Sequence, residues 1–177
     1  MKNQKKSLSF LVQAGLIAAL YCALSVALPF MTFGTVQCRL SEALTILPVL
    51  TPAAVPGLVV GCLISNSIGL AMGANVAGAV DILLGTLATA LAAILSRAWR
   101  RYRLKGLPVL STLPPVLLNA VIIGAELTVV LFPERTPALF FINMLSVGIG
   151  QVIACVIGGL LLFTVLKRVP TLKNYWE

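Results

Sequence analysis

Six polar residues lie inside apolar runs of the sequence, where ionisable groups are costly and usually mark function. They are three acids and three amides: Glu42, Asp81, Glu126, Asn66, Asn119 and Gln151. Counted along the runs at about 1.5 Å per residue, the three acids and Asn66 fall in the same half of a membrane, with Gln151 nearer its middle and Asn119 deeper. The sequence therefore predicts a small-molecule pocket open to the outside.

Each of these residues also has a purely structural interpretation. Arg39 and Glu42 are spaced to pair on one helix face. Asp81 follows a turn at Gly78 and could cap a helix N-terminus. Asn119 could hydrogen-bond between helices. At this point both interpretations stay open for each residue.

The missing residue types exclude most enzyme chemistry. The chain has no histidine, so it can form neither a Ser-His-Asp triad nor a His-ligated metal site. It has no Gly-x-x-x-x-Gly-Lys-Ser/Thr phosphate loop. Its four cysteines show no Cys-x-x-Cys spacing, and we expect them to pack as small apolar residues. The Gly78-Ala79-Val80 stretch before Asp81 does not match the Gly-x-Gly-Asp signature of intramembrane aspartyl proteases. We expect a non-enzyme with no metal and no cofactor.

The elements that position these residues are predicted to be membrane-spanning helices. Of the 177 residues, 59% are hydrophobic and 10% charged, against about 25% charged in soluble domains. The apolar runs are long enough to cross a hydrocarbon core. The prediction is an all-α integral membrane protein, a single transmembrane domain over residues 1–177 with six helices near residues 8–28, 39–50, 57–72, 79–99, 114–131 and 138–166.

Basic residues are clustered at the ends of these runs, which predicts the topology. Of the 13 basic residues, 11 fall in three clusters: Lys2, Lys5 and Lys6; Arg97, Arg100, Arg101, Arg103 and Lys105; and Lys167, Arg168 and Lys173. Six crossings with the N-terminus inside place all three clusters inside, in agreement with the positive-inside rule. We expect both termini to be cytoplasmic in a multi-pass protein of the cell membrane, with no nucleic-acid partner.

Small residues recur at every fourth position of the first helix. Ala14 and Ala18 form one stripe, and Ala19, Ala23 and Ala27 form a second. Such stripes let helices approach closely in lipid. The contact could be made within the chain or with a partner protein.

Several stretches resemble the QueT family of queuosine-precursor transporters. They are residues 36–48 (VQCRLSEALTILP), 56–57 (PG), 61–62 (GC) with Asn66, Asp81 with 85–89 (GTLAT), 114–120 (PPVLLNA) and 147–150 (VGIG). The likeness runs through nearly the whole chain. One departure is Gln151, where a glutamate after Gly-Ile-Gly is common in the family.

The resemblance implies a bacterial six-helix S component, the substrate-binding subunit of an energy-coupling-factor (ECF) importer. Such a subunit would capture a 7-deazaguanine, cyano or aminomethyl, from outside. It would deliver it with a transmembrane coupling subunit and two ATPases. Ala14 and Ala18 match the positions that meet the coupling subunit in such families, and the loop after the first helix would close over the pocket.

The chemistry of a deazaguanine suits the polar residues. Its ring edge presents an N–H and an amino group beside a carbonyl, and one carboxylate can accept both donors. We expect the acceptor among Glu42, Asp81 and Glu126, and a donor to the carbonyl among Asn66, Asn119 and Gln151. Phe33 or Phe30 would stack on the ring, and Arg39 completes the candidate set.

Three alternatives remain. The ligand could be another vitamin or nucleobase. The chain could be a helix-bundle scaffold in which the polar residues only join helices. It could also be a proton-coupled transporter that acts without ATPases.

Overall fold

A computed structural model describes residues 2–34 and 37–169 of the chain, with side chains from residue 7 onward. Thr35 and Val36, in the first predicted loop and at the start of the family-like stretch, lie outside the described residues, as does the C-terminal segment with Lys173. The described residues are helical apart from turns, and an isolated bridge between Leu104 and Leu107 is the only β pairing among them.

Seven α-helices, two 3₁₀ segments and one π-helical segment make up the described chain. In chain order they are α1 (Lys2–Ala27), α2 (Pro29–Thr32), the 3₁₀ helix Leu40–Val49, α3 (Ala54–Ala71), α4 (Val80–Ala98), the 3₁₀ turn Val109–Thr112, α5 (Leu113–Leu131), α6 (Pro137–Gln151), the π-helix Val152–Gly158 and α7 (Gly159–Lys167). The last three elements form one continuous helical segment of 31 residues.

Five described helices are long and apolar enough to cross a membrane, which confirms the all-helical membrane class. They are Ser7–Ala27, Ala54–Ala71, Val80–Ala98, Val109–Leu131 and Pro137–Lys167. The sixth predicted crossing corresponds to the 3₁₀ helix Leu40–Val49, which has only 10 residues. At about 2.0 Å per residue it is shorter than the ~30 Å hydrocarbon core. The predicted number of six crossings is therefore not confirmed.

The 3₁₀ helix lies in the interior of the bundle. Seven of its 10 residues are buried, and Pro48 lies inside its last turn. Proline removes a backbone donor and prevents a regular α-helix from continuing. Glycines of the π segment and α7, Gly158 and Gly159, pass close to Ala43, which lets this short helix fit against the long one.

Helix α1 packs against α3 through small residues. A Cβ on Gly57 would lie 2.7 Å from the Ala14 carbonyl oxygen, and one on Gly61 would lie 2.9 Å from that of Ala18. The two helices therefore run parallel, and the Ala14–Ala18 stripe faces α3. Ala18 is only 7% exposed. The structure therefore contains the contact within the chain, which is one of the two interpretations of this stripe.

The remaining neighbouring helices, α3 with α4 and α5 with α6, pack as antiparallel pairs. Gly85 of α4 approaches Asn66 of α3, and Gly124 of α5 approaches the backbone of Met144 in α6. Because lipid is as apolar as the helix surfaces, close packing of this kind is a main source of helix association in membranes.

We predict that Gly61→Ala destabilises the bundle, because the added methyl would press on the backbone of Ala18 and the Cβ of Tyr21 at less than 3.0 Å. The expected loss in free energy of unfolding is about 1–3 kcal/mol, measured by thermal unfolding in detergent. Gly15→Ala is the matched control on α1, since nothing lies within 4 Å of its Cβ position. Equal effects of the two substitutions would contradict this packing.

Candidate functional site

A buried ion pair between Arg39 and Asp81 is the centre of the polar interior. Arg39 Nη2 lies 2.5 Å from Asp81 Oδ2, and the two side chains are 4% and 0% exposed. Arg39 Nε donates to the carbonyl oxygen of Thr32 at 3.2 Å, and Nη1 donates to Asn66 Oδ1 at 3.1 Å. The guanidinium also lies over the ring of Phe33, 5.8 Å from its centroid. Burying a charge away from water costs several kcal/mol, and an ion-pair partner together with hydrogen bonds of this kind offsets that cost.

This pairing corrects two structural interpretations from the sequence. Arg39 pairs with Asp81, 42 positions away, and no ion pair to Glu42 lies within the described residues. Asp81 does not cap α4, whose N-cap position is Ala79 with no side-chain cap. Both interpretations used spacing along one helix, whereas the actual partner comes from another segment.

Asp81 keeps one side-chain oxygen without a partner among the described residues. Its Oδ2 also accepts a hydrogen bond from Asn75 Nδ2 at 2.9 Å, and its backbone oxygen accepts one from Asn66 Nδ2 at 2.7 Å. Its Oδ1 is buried, and no described side chain or backbone group donates to it. It lies over Gly85, where a Cβ would collide with Oδ1. Glycine at this position therefore leaves the space that the carboxylate occupies.

Glu42 is held by a second set of contacts. Tyr21 donates a short hydrogen bond from its hydroxyl to Oε1, and Asn119 Nδ2 lies 3.5 Å from Oε2. Cys155 Sγ contacts the Glu42 backbone oxygen at 3.6 Å and Gln151 Oε1 at 3.1 Å. Glu42, Asn119 and Gln151 thus form one connected group together with Tyr21 and Cys155.

Cys62 lies between polar groups of three segments. Its sulfur is 4.0 Å from Arg39 Nη1, 3.6 Å from Asn66 Nδ2 and 3.4 Å from Thr89 Oγ1. The cysteines were expected to be apolar packing residues, and for Cys62 and Cys155 this expectation was incomplete. No group of described residues could hold a metal ion.

Glu126 lies apart from these hydrogen-bonded groups. It is 2% exposed, yet neither carboxyl oxygen has a hydrogen-bond partner among the described residues. It lines a groove of about 410 Å³ between α4 and α5, whose other walls are apolar and include Val80, Leu84 and Val121. A buried polar group left unsatisfied in this way calls for a ligand, a water or a proton.

Three residues of this region were not predicted from the sequence: Tyr21, Asn75 and Gln37. Tyr21 is a lone tyrosine in an apolar run, and Asn75 lies in a turn, so neither carries a local signal. Gln37 precedes Arg39 by two residues. It is 1% exposed, and its Nε2 is a buried donor with no partner in the described part of the chain. Its carbonyl oxygen packs directly on Gly150 of α6.

The two candidate aromatic residues differ in position. Phe33 is fully buried, and its ring packs on Gly69 of α3, whereas Phe30 is 73% exposed. The predicted site residues are also shielded from solvent. None of Arg39, Glu42, Asn66, Asp81, Asn119 and Gln151 is more than 4% exposed. In this conformation these six side chains are therefore shielded from solvent, and the pocket open to the outside stays a prediction.

The arrangement can offer buried carboxyl groups to a ligand as hydrogen-bonding partners. The buried charged residues among those described are one guanidinium, Arg39, and three carboxyl groups, Glu42, Asp81 and Glu126. Asp81 neutralises Arg39, so two carboxyl groups remain without a cation. A site with this balance favours a ligand that donates hydrogen bonds or carries positive charge.

Comparisons with known proteins place the chain in a family. Residues 11–168 match the family model described as QueT transporter. No curated protein and no solved structure matches the chain.

We predict that Arg39→Gln strongly destabilises the protein, because it leaves the Asp81 carboxylate buried without a cation. The expected loss is about 3–5 kcal/mol. Asp81→Asn in the same chain should restore much of it, since both charges are then removed. Unfolding of the single and double variants in detergent measures the coupling, with Arg135→Gln in an exposed turn as control. An unimproved double variant would mean that the ion pair is not the source of the loss.

Proposed function

The chain belongs to the QueT transporter family, and we propose that it is the substrate-binding S component of an ECF importer. In this proposal it captures a 7-deazaguanine precursor of queuosine from outside the cell. A transmembrane coupling subunit and two ATPases then drive its delivery across the membrane. Membership of this family supports the class, a multi-pass membrane transporter. The assignment as an S component for a deazaguanine rests on the polar interior.

The observation that carries the proposal is that Gln37, Asp81 and Glu126 contribute four of the six buried side-chain atoms that have no hydrogen-bond partner among the described residues. Asp81 Oδ1 and both oxygens of Glu126 are spare acceptors, and Gln37 Nε2 is a spare donor. A deazaguanine edge offers two donors and one acceptor, which is complementary to this set. Asp81 Oδ1 can accept a hydrogen bond from the ring edge, and a hydrogen bond to a charged acceptor is stronger than one between neutral groups.

The charge balance favours the aminomethyl compound over the cyano compound. An aminomethyl group is cationic, whereas a cyano group is neutral. Since Arg39 is already neutralised by Asp81, the second cation in the region would come from the ligand. Glu126, in its largely apolar groove, has no competing partner for that role among the described residues.

A ligand can reach the buried polar side chains around Arg39 and Asp81 only if the structure around them opens. The part of the chain before the 3₁₀ helix, described at residues 29–34 and 37–39, covers them through the contacts of Arg39 with Thr32 and of Phe33 with Gly69. It is also tied to the turn after α3 by the Val76 N–H to Phe33 oxygen hydrogen bond, at 3.2 Å. We propose that this segment moves as a lid, and that Phe33 stacks on the bound ring.

The partners follow from what the chain lacks. The sequence has no phosphate-binding loop, so ATP hydrolysis would be the work of other subunits. Ala14 and Ala18 were the expected contacts for the coupling subunit, but they face α3. Gly15, Ala19 and Ala23 form the exposed small-residue stripe on α1, and we propose this stripe as the contact instead.

The proposed orientation has both termini in the cytoplasm of a bacterial cell. The basic residues after α4 and those at the end of α7 lie at the same end of the bundle, since the Lys167 ammonium approaches Gly106. This supports placing that end inside. The N-terminal lysine side chains and Lys173 lie outside the part of the chain whose side chains are described.

One observation favours a scaffold as the second candidate. The Arg39–Asp81 and Tyr21–Glu42 pairs each join two different segments of the bundle, as expected for polar residues that only join helices. The unpaired Glu126 is the feature that a scaffold leaves unexplained.

We predict that the purified, detergent-solubilised protein binds aminomethyl-deazaguanine more tightly than cyano-deazaguanine, and guanine weakly. Isothermal titration calorimetry with the three compounds measures this order. The reason is the carboxyl group of Glu126, which has no cation partner among the described residues and can pair with the aminomethyl cation. A folded protein that binds none of them would remove the ligand assignment, while its family and membrane class would stand.

We further predict that Glu126→Gln weakens binding of the aminomethyl compound by between about tenfold and about a hundredfold, because it removes a charge-assisted hydrogen bond. Affinity for the cyano compound should change less. Glu134→Gln, at an exposed turn position, is the control. If Asp81→Asn, Glu42→Gln and Glu126→Gln all fold and each loses less than tenfold, the carboxylates do not read the ring.

A further inference from the structure

The loop between α4 and α5 ends in a tight turn that presents lysine. Leu104 and Leu107 exchange two backbone hydrogen bonds, at 2.9 and 3.0 Å. The two residues between them have positive φ angles, 50° for Lys105 and 81° for Gly106. This is the geometry of a type I′ hairpin turn. Lysine at a positive φ is uncommon, so this turn holds a charged residue at a position where Asn or Gly is usual.

The end of α7 brings further cations to the same place. Lys167 Nζ lies 4.0 Å from the position that a Cβ on Gly106 would take. Arg103 stacks over Phe163 of α7, with its guanidinium carbon 5.6 Å from the ring centroid. Two segments more than 60 positions apart in the sequence therefore place like charges next to each other. We refer to Arg103, Lys105, Lys167 and Arg168 as the basic patch.

The basic patch is not neutralised by the acids that the structure describes. Among these, Asp81 begins α4, Glu126 lies near the end of α5 and Glu134 lies in the turn after α5, all toward the opposite end of the bundle. Glu42 is buried against Tyr21. The ion pair found among the described residues is Arg39–Asp81. Like charges held close together raise the local potential and attract an anion.

The surroundings of the patch are apolar and lie at a membrane boundary. The spans Val80–Ala98 and Pro137–Lys167 both end here. Tyr102 is 61% exposed and Leu104 is 55% exposed, beside the cations, and Trp99 ends α4. Aromatic residues and cations at the end of a span are typical of the headgroup level. A soluble anion would leave these apolar side chains uncovered.

We propose that the basic patch is a binding site for an anionic phospholipid. Lys105, Lys167 and Arg103 contact the phosphate group, and the lipid chains cover Leu104 and Tyr102. The bound lipid joins the α4–α5 loop to the end of α7 by neutralising the cations that both segments contribute. The site lies at the end of the bundle away from the Arg39–Asp81 pair, so it is independent of the proposed substrate site.

The test compares lipids and charge variants on the full-length protein in detergent. Native mass spectrometry follows binding of phosphatidylglycerol and phosphatidylcholine to the wild-type chain, to Lys105→Gln/Lys167→Gln and to Lys105→Arg/Lys167→Arg. We expect the wild type to prefer phosphatidylglycerol. The glutamine pair should weaken it by roughly fivefold for each cation removed and leave phosphatidylcholine unchanged. The arginine pair, which keeps both charges, should bind like the wild type.

Controls separate the site from general effects. Arg135→Gln removes one exposed cation at the opposite end and should leave phosphatidylglycerol binding unchanged. Thermal unfolding verifies that the variants fold. Wild-type affinity for phosphatidylglycerol in the glutamine pair would overturn the proposal. So would equal binding of both lipids by the wild type, or displacement of phosphatidylglycerol by inorganic phosphate alone, because the lipid chains would then contribute nothing.

Discussion

The interior of this protein is organised around one buried cation. Arg39 contributes its guanidinium to a region with little access to water, where an unpaired charge would cost several kcal/mol. Its partners come from separate segments: Thr32 after α1, Asn66 in α3 and Asp81 at the start of α4. The ion pair therefore ties the covering segment and two membrane-spanning helices together at one end of the bundle. Asn75 donates a hydrogen bond to Asp81, and Gly85 leaves the space that the Asp81 carboxylate occupies.

The position of Arg39 also explains the short 3₁₀ helix that follows it. Once Arg39 is drawn inward to Asp81, Leu40–Val49 starts inside the bundle and has no access to lipid along most of its length. Its carboxyl group, Glu42, must then find partners in the interior, and it meets Tyr21 of α1 and Asn119 of α5. Polar side chains from α1, α3, α4, α5 and the long C-terminal helix are thus gathered around one short segment. Small residues on α1, α3 and α6 allow the close approach.

Under the proposed function, the same network would link stability to transport. The paired groups would hold the covering segment shut, and the atoms of Asp81, Glu126 and Gln37 that lack partners among the described residues would bind the ligand. A substrate that satisfies these atoms would compensate for the hydrogen bonds that break when the segment opens. In a QueT transporter, this exchange of internal partners for ligand partners is a physical route by which substrate binding would alter the conformation that other subunits meet.

The amino-acid sequence alone determined the class of this protein. Hydropathy and run length indicated an all-helical membrane protein, and the stretch around Arg39 and Glu42 led to the family. These properties are local, so they can be read along the chain. Only the tertiary structure decided that Arg39 pairs with Asp81 and not with Glu42, that Leu40–Val49 is a short interior helix, and that Ala14 and Ala18 face α3. The physical reason is that lipid and a neighbouring helix are equally apolar, so hydropathy places a helix in the membrane without identifying the face it buries, and the partner of a buried charge is chosen by packing between distant segments.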